Sequence, residues 1–302
     1  MTSSVTVRVP AKVNLQLAVG SLRSDGYHAL ATVFQAVSLT DEVIVRLRPT
    51  AGIVVSVSGE GAGSLALDGS NLAHRAAVLL GERAGIEPAV DLHLHKAIPI
   101  AGGMAGGSAD AAGVLLACDA LWRLSTPREE LMALASELGS DVPFALHGGT
   151  AIGTGRGELL TSVLSRGTFH WVFALAERGL STPDVYAACD RQRDGHAVPE
   201  PQVSENLMEA VIAGDPILLG KALHNDLQPA ALALRPVLEQ VLEVGEDYGA
   251  LGGIVSGSGP TCAFLARDEE HALDIAVALT VAGVCRSVKR ATGPVVGARV
   301  VG

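Results

Sequence analysis

The chain has few cysteines, few aromatics, a deficit of basic residues and no long apolar run. Its four cysteines, Cys118, Cys189, Cys262 and Cys285, lie far apart, with no CxxC pair and no Cys/His spacing that suggests zinc. The first residues, MTSSVTVRVPAKVN, contain no apolar signal core and no cleavage pattern. The longest uncharged apolar run, residues 275–285, is too short to span a bilayer. Together these point to a reduced, cytoplasmic protein away from membranes. Lys and Arg number 22 against 32 Asp and Glu, a formal charge of −10, which argues against a nucleic-acid partner and its basic footprint. A small anionic ligand needs only a local cluster of donors and stays open. Aromatics make up 3%, so each well-placed ring is conspicuous. What is present is 302 residues, 48% hydrophobic and 18% charged, the profile of a globular enzyme of one large domain or two modest ones.

Val5, Val7 and Val9 alternate with polar residues, and Val13, Leu15, Leu17 and Val19 do so again after Pro10, which predicts two half-buried strands. Lys12, Asn14 and Gln16 share one face of the second, a pattern that usually means solvent. The string RSDGYHAL has a turn at Asp25-Gly26 that presents Tyr27 and His28. Strands are expected over 31–37, 43–47 and 53–57, broken by Leu39-Thr40-Asp41 and Pro49. A helix over 71–84 follows, capped by Asn71, then a strand of Val90, Leu92 and Leu94. His93 and His95 share a face of that strand; without a third ligand nearby, a solvated face is the simpler reading than a metal site.

Residues 99–113 read PIAGGMAGGSADAAG. Paired glycines allow positive φ and close backbone approach to a ligand. Ser108 is the expected N-cap, with Asp110 in the first turn, so the loop leads into a helix N-terminus suited to phosphate. Helices are expected over 108–124 and 127–138. Asp141 then stands in a turn, where an aspartate more often caps backbone N–H groups than acts as a base. Later come a strand over 170–176, a helix over 182–191, a polar loop over 191–203, helices near 205–213, 216–223 and 229–244, and a β–turn–β–α–β close over 251–290 with GSGPT as its turn.

Several phosphate and nucleophile templates are missing. There is no GxxxxGK[ST], no HRD or DFG, and GGMAGG does not match G-x-G-x-x-G. GGSAD has Asp110 where a serine-hydrolase elbow needs glycine. A phosphate cradle of another type remains. It accompanies PAKVNLQLAVGSLRSDGYHAL early, LGSDVPF in mid-chain and VSGSGPT late. In these motifs the chain resembles the GHMP kinase superfamily, and within it the branch acting on 4-diphosphocytidyl-2-C-methyl-D-erythritol, over essentially its whole length. Ala105 stands where glycine is frequent in the family, and Ala109 where a second serine is frequent.

The resemblance implies an α+β, two-domain GHMP kinase fold. Residues 1–160 would form a ribosomal protein S5 domain 2-like ATP-binding domain, and 161–302 a ferredoxin-like substrate-side domain. It implies transfer of the γ-phosphoryl group of ATP, with Mg²⁺, to the 2-hydroxyl of the cytidylyl substrate in the non-mevalonate route to isoprenoids. Asp141 would be the general base and Lys12 its charge partner. Gly102, Gly103, Met104, Ala105, Gly106, Gly107 and Ser108 would cradle the phosphates after Pro99, with Ser108 near the metal. Adenine would lie by Asn71, Leu72 and Lys96. Tyr27 and Tyr186 would stack on cytosine and His28 would read its edge, while Asn14 and Thr182 would contact the methylerythritol diphosphate. Gly257, Ser258 and Gly259 would form the late glycine turn. Asn225 and Asp226 match a recurrent family string to which residue type alone assigns no chemistry. Another GHMP small-molecule kinase, for homoserine, mevalonate or a sugar, shares the loop and the base and is the alternative; a catalytically dead nucleotide sensor on the same fold is a second.

Overall fold

A computed structural model describes residues 4–194 and 196–302. The initial MTS and Gly195 of the 191–203 loop lie outside the described residues. The first half runs β1 (Ser4–Leu22), β2 (His28–Leu47), β3 (Gly52–Gly59), α1 (Leu72–Ala84), β4 (Ala89–Lys96), α2 (Gly106–Trp122), α3 (Arg128–Leu138), α4 (Val142–His147), β5 (Thr150–Thr154) and β6 (Leu159–Val163). The second runs β7 (Phe169–Leu175), α5 (Thr182–Gln192), α6 (Glu205–Ala213), α7 (Pro216–Ala222), β8 (His224–Asn225), α8 (Gln228–Leu234), α9 (Val237–Asp247), β9 (Gly252–Val255), β10 (Cys262–Ala266), α10 (Glu269–Ala282), β11 (Ser287–Gly293) and β12 (Arg299–Val300).

An eight-stranded sheet is built on the long antiparallel β1–β2 pair. β4 and β5 share the far edge of β2, β3 lies beyond β4, and β12 and β8 return from the C-terminal half to pair with β1. A second sheet has the order β11-β7-β10-β9. Helix α2 is apolar all round and crosses β1 and β2; a Cβ at Gly113 would lie 2.6 Å from Val43 Cγ2 and 2.9 Å from Val9 Cγ2, so that glycine sets how closely the helix seats. No described helix is long and apolar enough to cross a membrane. The four thiols are free, and burial pushes that of Cys262 up to about 12.

Two expected breaks are absent. Pro10 does not divide β1: a register shift falls between Pro10 and Ala11, where a bulge absorbs the missing N–H. The strand is buried on both faces there, so Lys12, Asn14 and Gln16, at 6%, 2% and 4% exposure, do not face water. Leu39-Thr40-Asp41 does not interrupt β2 either. Asp41 is fully buried, because its Oδ1 accepts the N–H groups of Ala97 and Ile98 and its Oδ2 pairs with Lys96. The helix expected over 229–244 is divided into α8 and α9 at Arg235-Pro236, where proline cannot supply the N–H of a continuing turn. Helix α3 ends at Leu138 with Gly139 as its C-cap, and Pro143 lies in the first turn of a separate helix, α4, where an early-turn proline costs no hydrogen bond.

Candidate active site

A cavity of about 720 Å³ opens where β1, the glycine loop, α5 and the late glycine turn meet. That volume suits a small-molecule site. Its floor carries Lys12 and Asn14 from β1. The Lys12 Nζ donates to Asn14 Oδ1 at 2.5 Å, and Asn14 Nδ2 donates to Thr32 Oγ1 at 2.8 Å, whose hydroxyl donates on to the Gln16 carbonyl at 2.6 Å. Phe34 lies beneath, its ring centre 5.7 Å from the ammonium. Burial pulls the Lys12 amine below the ordinary lysine range, and the charge of Asp141, 3.9 Å away, opposes that pull.

Asp141 stands at the N-cap position of α4, yet its side chain accepts no capping hydrogen bond. The capping role expected of a turn aspartate is therefore not the one it plays. Its carboxylate is a third exposed and lines the cavity beside Lys12.

The glycine loop forms the opposite wall. Helix α2 begins one turn earlier than residue type suggests: its N-cap is Ala105, in a left-handed conformation with φ 60°, and no side chain caps it. Ser108 is inside the helix rather than at its cap. The leading N–H groups of α2 thus have no side-chain acceptor, an arrangement that favours an anion. Asp110 lies beyond the first turn, buried, with its Oδ2 on Lys96 at 2.6 Å and no partner for Oδ1. Burial and the neighbouring Asp41 push its carboxyl up, against the pull of Lys96. Ala101 also has positive φ, 51°. A non-glycine residue in that region costs roughly 1–2 kcal/mol, a cost that glycine at either position would avoid. Ala109 belongs to the core and does not line the cavity, so the hydroxyl it lacks would not face a ligand.

The late turn closes against this loop, backbone to backbone. Gly103, φ 74°, lies so close that a Cβ would be 2.0 Å from the Ser256 carbonyl oxygen, and Ser256 Oγ donates to the Gly103 carbonyl at 3.1 Å. A Cβ at Gly257 would be 3.1 Å from Lys12 Nζ. Thr182 and Ser258 join hydroxyls at 2.8 Å across the cavity rim. Asn225, buried in β8, holds the turn from behind: its Nδ2 donates to the carbonyls of Val255 and Gly257, both at 2.7 Å, and its Oδ1 accepts the Leu227 N–H. Asp226 ties the far end of β1, accepting the Val19 N–H at 2.8 Å and pairing with Arg193 at 2.9 Å. These bonds supply a structural account of the Asn225-Asp226 string. Asn225→Asp would set a carboxylate against two buried carbonyls and is expected to cost at least ~2 kcal/mol of stability, read from urea denaturation midpoints. An unchanged midpoint would mean the turn is held without this side chain.

At the other end, Tyr27 is half exposed and His28 Nε2 lies 2.9 Å from Asp190 Oδ1. The His28 and Tyr186 rings are 5.0 Å apart. Burial raises the Tyr186 phenol's pKa, with the negative charge of Asp141 adding to it. The cavity thus gathers Lys12, Asn14, Tyr27, His28, Leu72, Gly102, Gly103, Ala105, Gly106, Gly107, Ser108, Asp141, Thr182, Tyr186, Gly257 and Ser258. It does not gather Asn71, Lys96, Pro99, Met104 or Gly259. Asn71 caps α1 through the Ala73 N–H, Met104 is fully buried, and Lys96 is turned into the core. Arg156 and Asp190 line the cavity without having been anticipated. Arg156 stands in the β5–β6 turn with its guanidinium 4.9 Å from the Tyr27 ring centre. The only sequence signal for it was one basic residue between glycines in GTGRGE, which reads equally well as a linker.

The family model "GHMP kinases N terminal domain" matches residues 71–149, and "GHMP kinases C terminal" matches residues 207–284. The chain is 58% identical to a 4-diphosphocytidyl-2-C-methyl-D-erythritol kinase of Mycolicibacterium smegmatis, over 99% of this chain and 93% of the relative. It is also 58% identical to one of Thermobifida fusca, over 99% of both. A crystal structure of 4-(cytidine 5'-diphospho)-2C-methyl-D-erythritol kinase superposes with a TM-score of 0.74 at 35% identity, covering 95% of this chain and 98% of that one. The mevalonate kinase of L. major, at 16% identity and a TM-score of 0.78, shares the fold. The chain belongs to the GHMP kinases and, among them, to the family of the 4-diphosphocytidyl-2-C-methyl-D-erythritol kinases.

Proposed function

We infer that this chain transfers the γ-phosphoryl group of ATP to the 2-hydroxyl of 4-diphosphocytidyl-2-C-methyl-D-erythritol, a step of the non-mevalonate route to isoprenoids. One observation carries the mechanism: a carboxylate–ammonium pair, Asp141 and Lys12, faces the same cavity as the uncapped N-terminus of α2. The acceptor is a tertiary alcohol that must lose its proton as the new P–O bond forms. Asp141 takes that proton, since its carboxylate is not spent on capping. Lys12, 3.9 Å from the Asp141 carboxylate, orients it and offsets charge on the transferring group. The amides of residues 102–108 hold the β- and γ-phosphates, with Leu72 against the adenine side. Tyr27 and Tyr186 stack on cytosine, His28 is oriented by Asp190 to read its edge, and Asn14 and Thr182 meet the methylerythritol diphosphate.

Mg²⁺ fits the donors present. Ser108 and Asp141 offer hard oxygens on the same cavity, and this ion keeps waters and leans on substrate phosphates rather than on a full protein cage. Bound there, it would neutralise charge on the phosphate oxygens. We also propose two units; the expected boundary at 160/161 falls inside β6, which pairs with β5 through Val163, so the division belongs after Val163, with the four-stranded sheet wholly in the second unit and β8 and β12 reaching back to β1. The four free cysteines accord with a reducing compartment such as the cytoplasm.

The purified chain, given ATP and Mg²⁺, is expected to form ADP with the cytidylyl alcohol and not with homoserine, mevalonate or simple sugars. Turnover confined to one of those three would transfer the assignment to another GHMP small-molecule kinase.

A further inference from the structure

Behind the glycine loop, outside the cavity, lies a buried charge cluster that the mechanism above does not use. Lys96 ends β4 with its amine almost wholly buried. An ammonium has three donors, and all three are spent: one on Asp41 Oδ2, one on Asp110 Oδ2 at 2.6 Å and one on the Gly106 carbonyl at 3.1 Å. None is left for a nucleotide. The partners show what the amine does. Asp41, through its other oxygen, accepts the Ala97 N–H at 2.7 Å and the Ile98 N–H at 2.9 Å, which is where the glycine loop starts. Gly106 is where the loop ends and α2 begins. Entry and exit of the loop are therefore clamped to a single ammonium group. Between the clamps, Ala101, Gly103 and Ala105 all hold positive φ. Such conformations persist where the surroundings over-determine them.

We propose that Lys96 is a positioning residue for phosphate binding: held by Asp41 and Asp110, it fixes the Gly106 carbonyl, and so sets where the free N–H groups of α2 point, without touching the nucleotide. This rests on the reading of the loop as the ATP phosphate cradle. It replaces an adenine contact with an action exerted through the loop's backbone. Asp110 balances the amine from within α2 itself, so the clamp and the helix whose N-terminus it aims are one rigid piece.

Lys96→Met alone leaves two buried carboxylates without a counter-charge and endangers folding. The test is therefore made in an Asp110→Asn background, where the remaining Asp41 carboxylate keeps its two backbone N–H partners. Adenosine, the β,γ-imido analogue of ATP, and CDP are titrated by calorimetry against Asp110→Asn and against Lys96→Met/Asp110→Asn. The second substitution is expected to weaken the ATP analogue roughly tenfold or more, the loss of one charge-assisted hydrogen bond, and to leave adenosine and CDP within ~2-fold. Lys96→Gln in the same background retains a neutral donor and is expected to fall between the two. Equal weakening of all three ligands, or unchanged binding of the ATP analogue, overturns the proposal while leaving the kinase reading intact. If the unaltered chain binds CDP but not the ATP analogue, the loop is no phosphate cradle and both readings fall.

Discussion

Asp141→Asn is expected to fold, to bind ATP and the cytidylyl alcohol with near-normal affinity, and to lower kcat at least ~100-fold, the lower end of what general-base help supplies. Folding is spared because the Asp141 side chain caps no N–H group of α4. Binding is spared because asparagine keeps the shape and one acceptor oxygen. The chemical step suffers because the amide cannot take the proton, and because Lys12, already depressed by burial, loses the negative charge that opposes the depression. Steady-state kinetics with both substrates varied separates kcat from KM and checks each part. Near-normal turnover would remove Asp141 from its role. A wild-type chain that binds ATP yet turns nothing over would instead favour a nucleotide sensor built on this fold.

The second large effect belongs to Gly103→Ala. A Cβ there would fall 2.0 Å from the Ser256 carbonyl oxygen and 3.1 Å from the Gly259 nitrogen, at a φ of 74° that alanine adopts reluctantly. The left-handed conformation costs roughly 1–2 kcal/mol and the overpacking roughly 1–3 kcal/mol. Because the contact pairs backbone with backbone, no side chain can swing aside. The two glycine turns must part, and ATP affinity is expected to fall at least ~30-fold by calorimetry, the equivalent of about 2 kcal/mol. Gly107→Ala is the matching control for stability. The nearest protein atom to its Cβ is Leu72 Cδ1 at 3.7 Å, and alanine suits a helical position. Its thermal midpoint is expected to equal or exceed that of the parent, whereas that of Gly103→Ala drops. Equal midpoints for the two would mean that the loop and the late turn are not in register with one another.

Local signals served well wherever the controlling physics is local. Helix α10, residues 269–282, supplies the helix of the β–turn–β–α–β close expected over 251–290, capped by Asp268 on the His271 N–H and closed by Gly283 in a left-handed conformation. Asn71 caps α1 for the same kind of reason. Ser108 is not the cap, because the local preference for serine there is outweighed by an alanine held at positive φ three residues earlier. Neither Pro10 nor Leu39-Thr40-Asp41 breaks its strand, because a bulge against the neighbouring strand and a buried ion pair with β4 outweigh the local preference for a turn. Arg156 was invisible because nothing beside it in the chain tells that the β5–β6 turn folds back over Tyr27.

Residue order alone determined the motifs, their succession and hence the family, since PAKVNL, GGMAGGSADAA, SDVPF and GSGPT are strings of neighbours whose spacing survives without any fold. Only the tertiary structure decided what those neighbours face. Lys12 meets Asp141 across 129 positions of chain (141 − 12), and Gly103 meets Ser256 across 153 (256 − 103). The Lys96 amine meets Asp41 across 55 positions of chain (96 − 41). Burial turns an ammonium toward whichever carboxylate the packing brings near, because an unpaired charge in the interior is too costly to keep. Which carboxylate that is depends on how β2, β4 and α2 pack, and no stretch of adjacent residues records it.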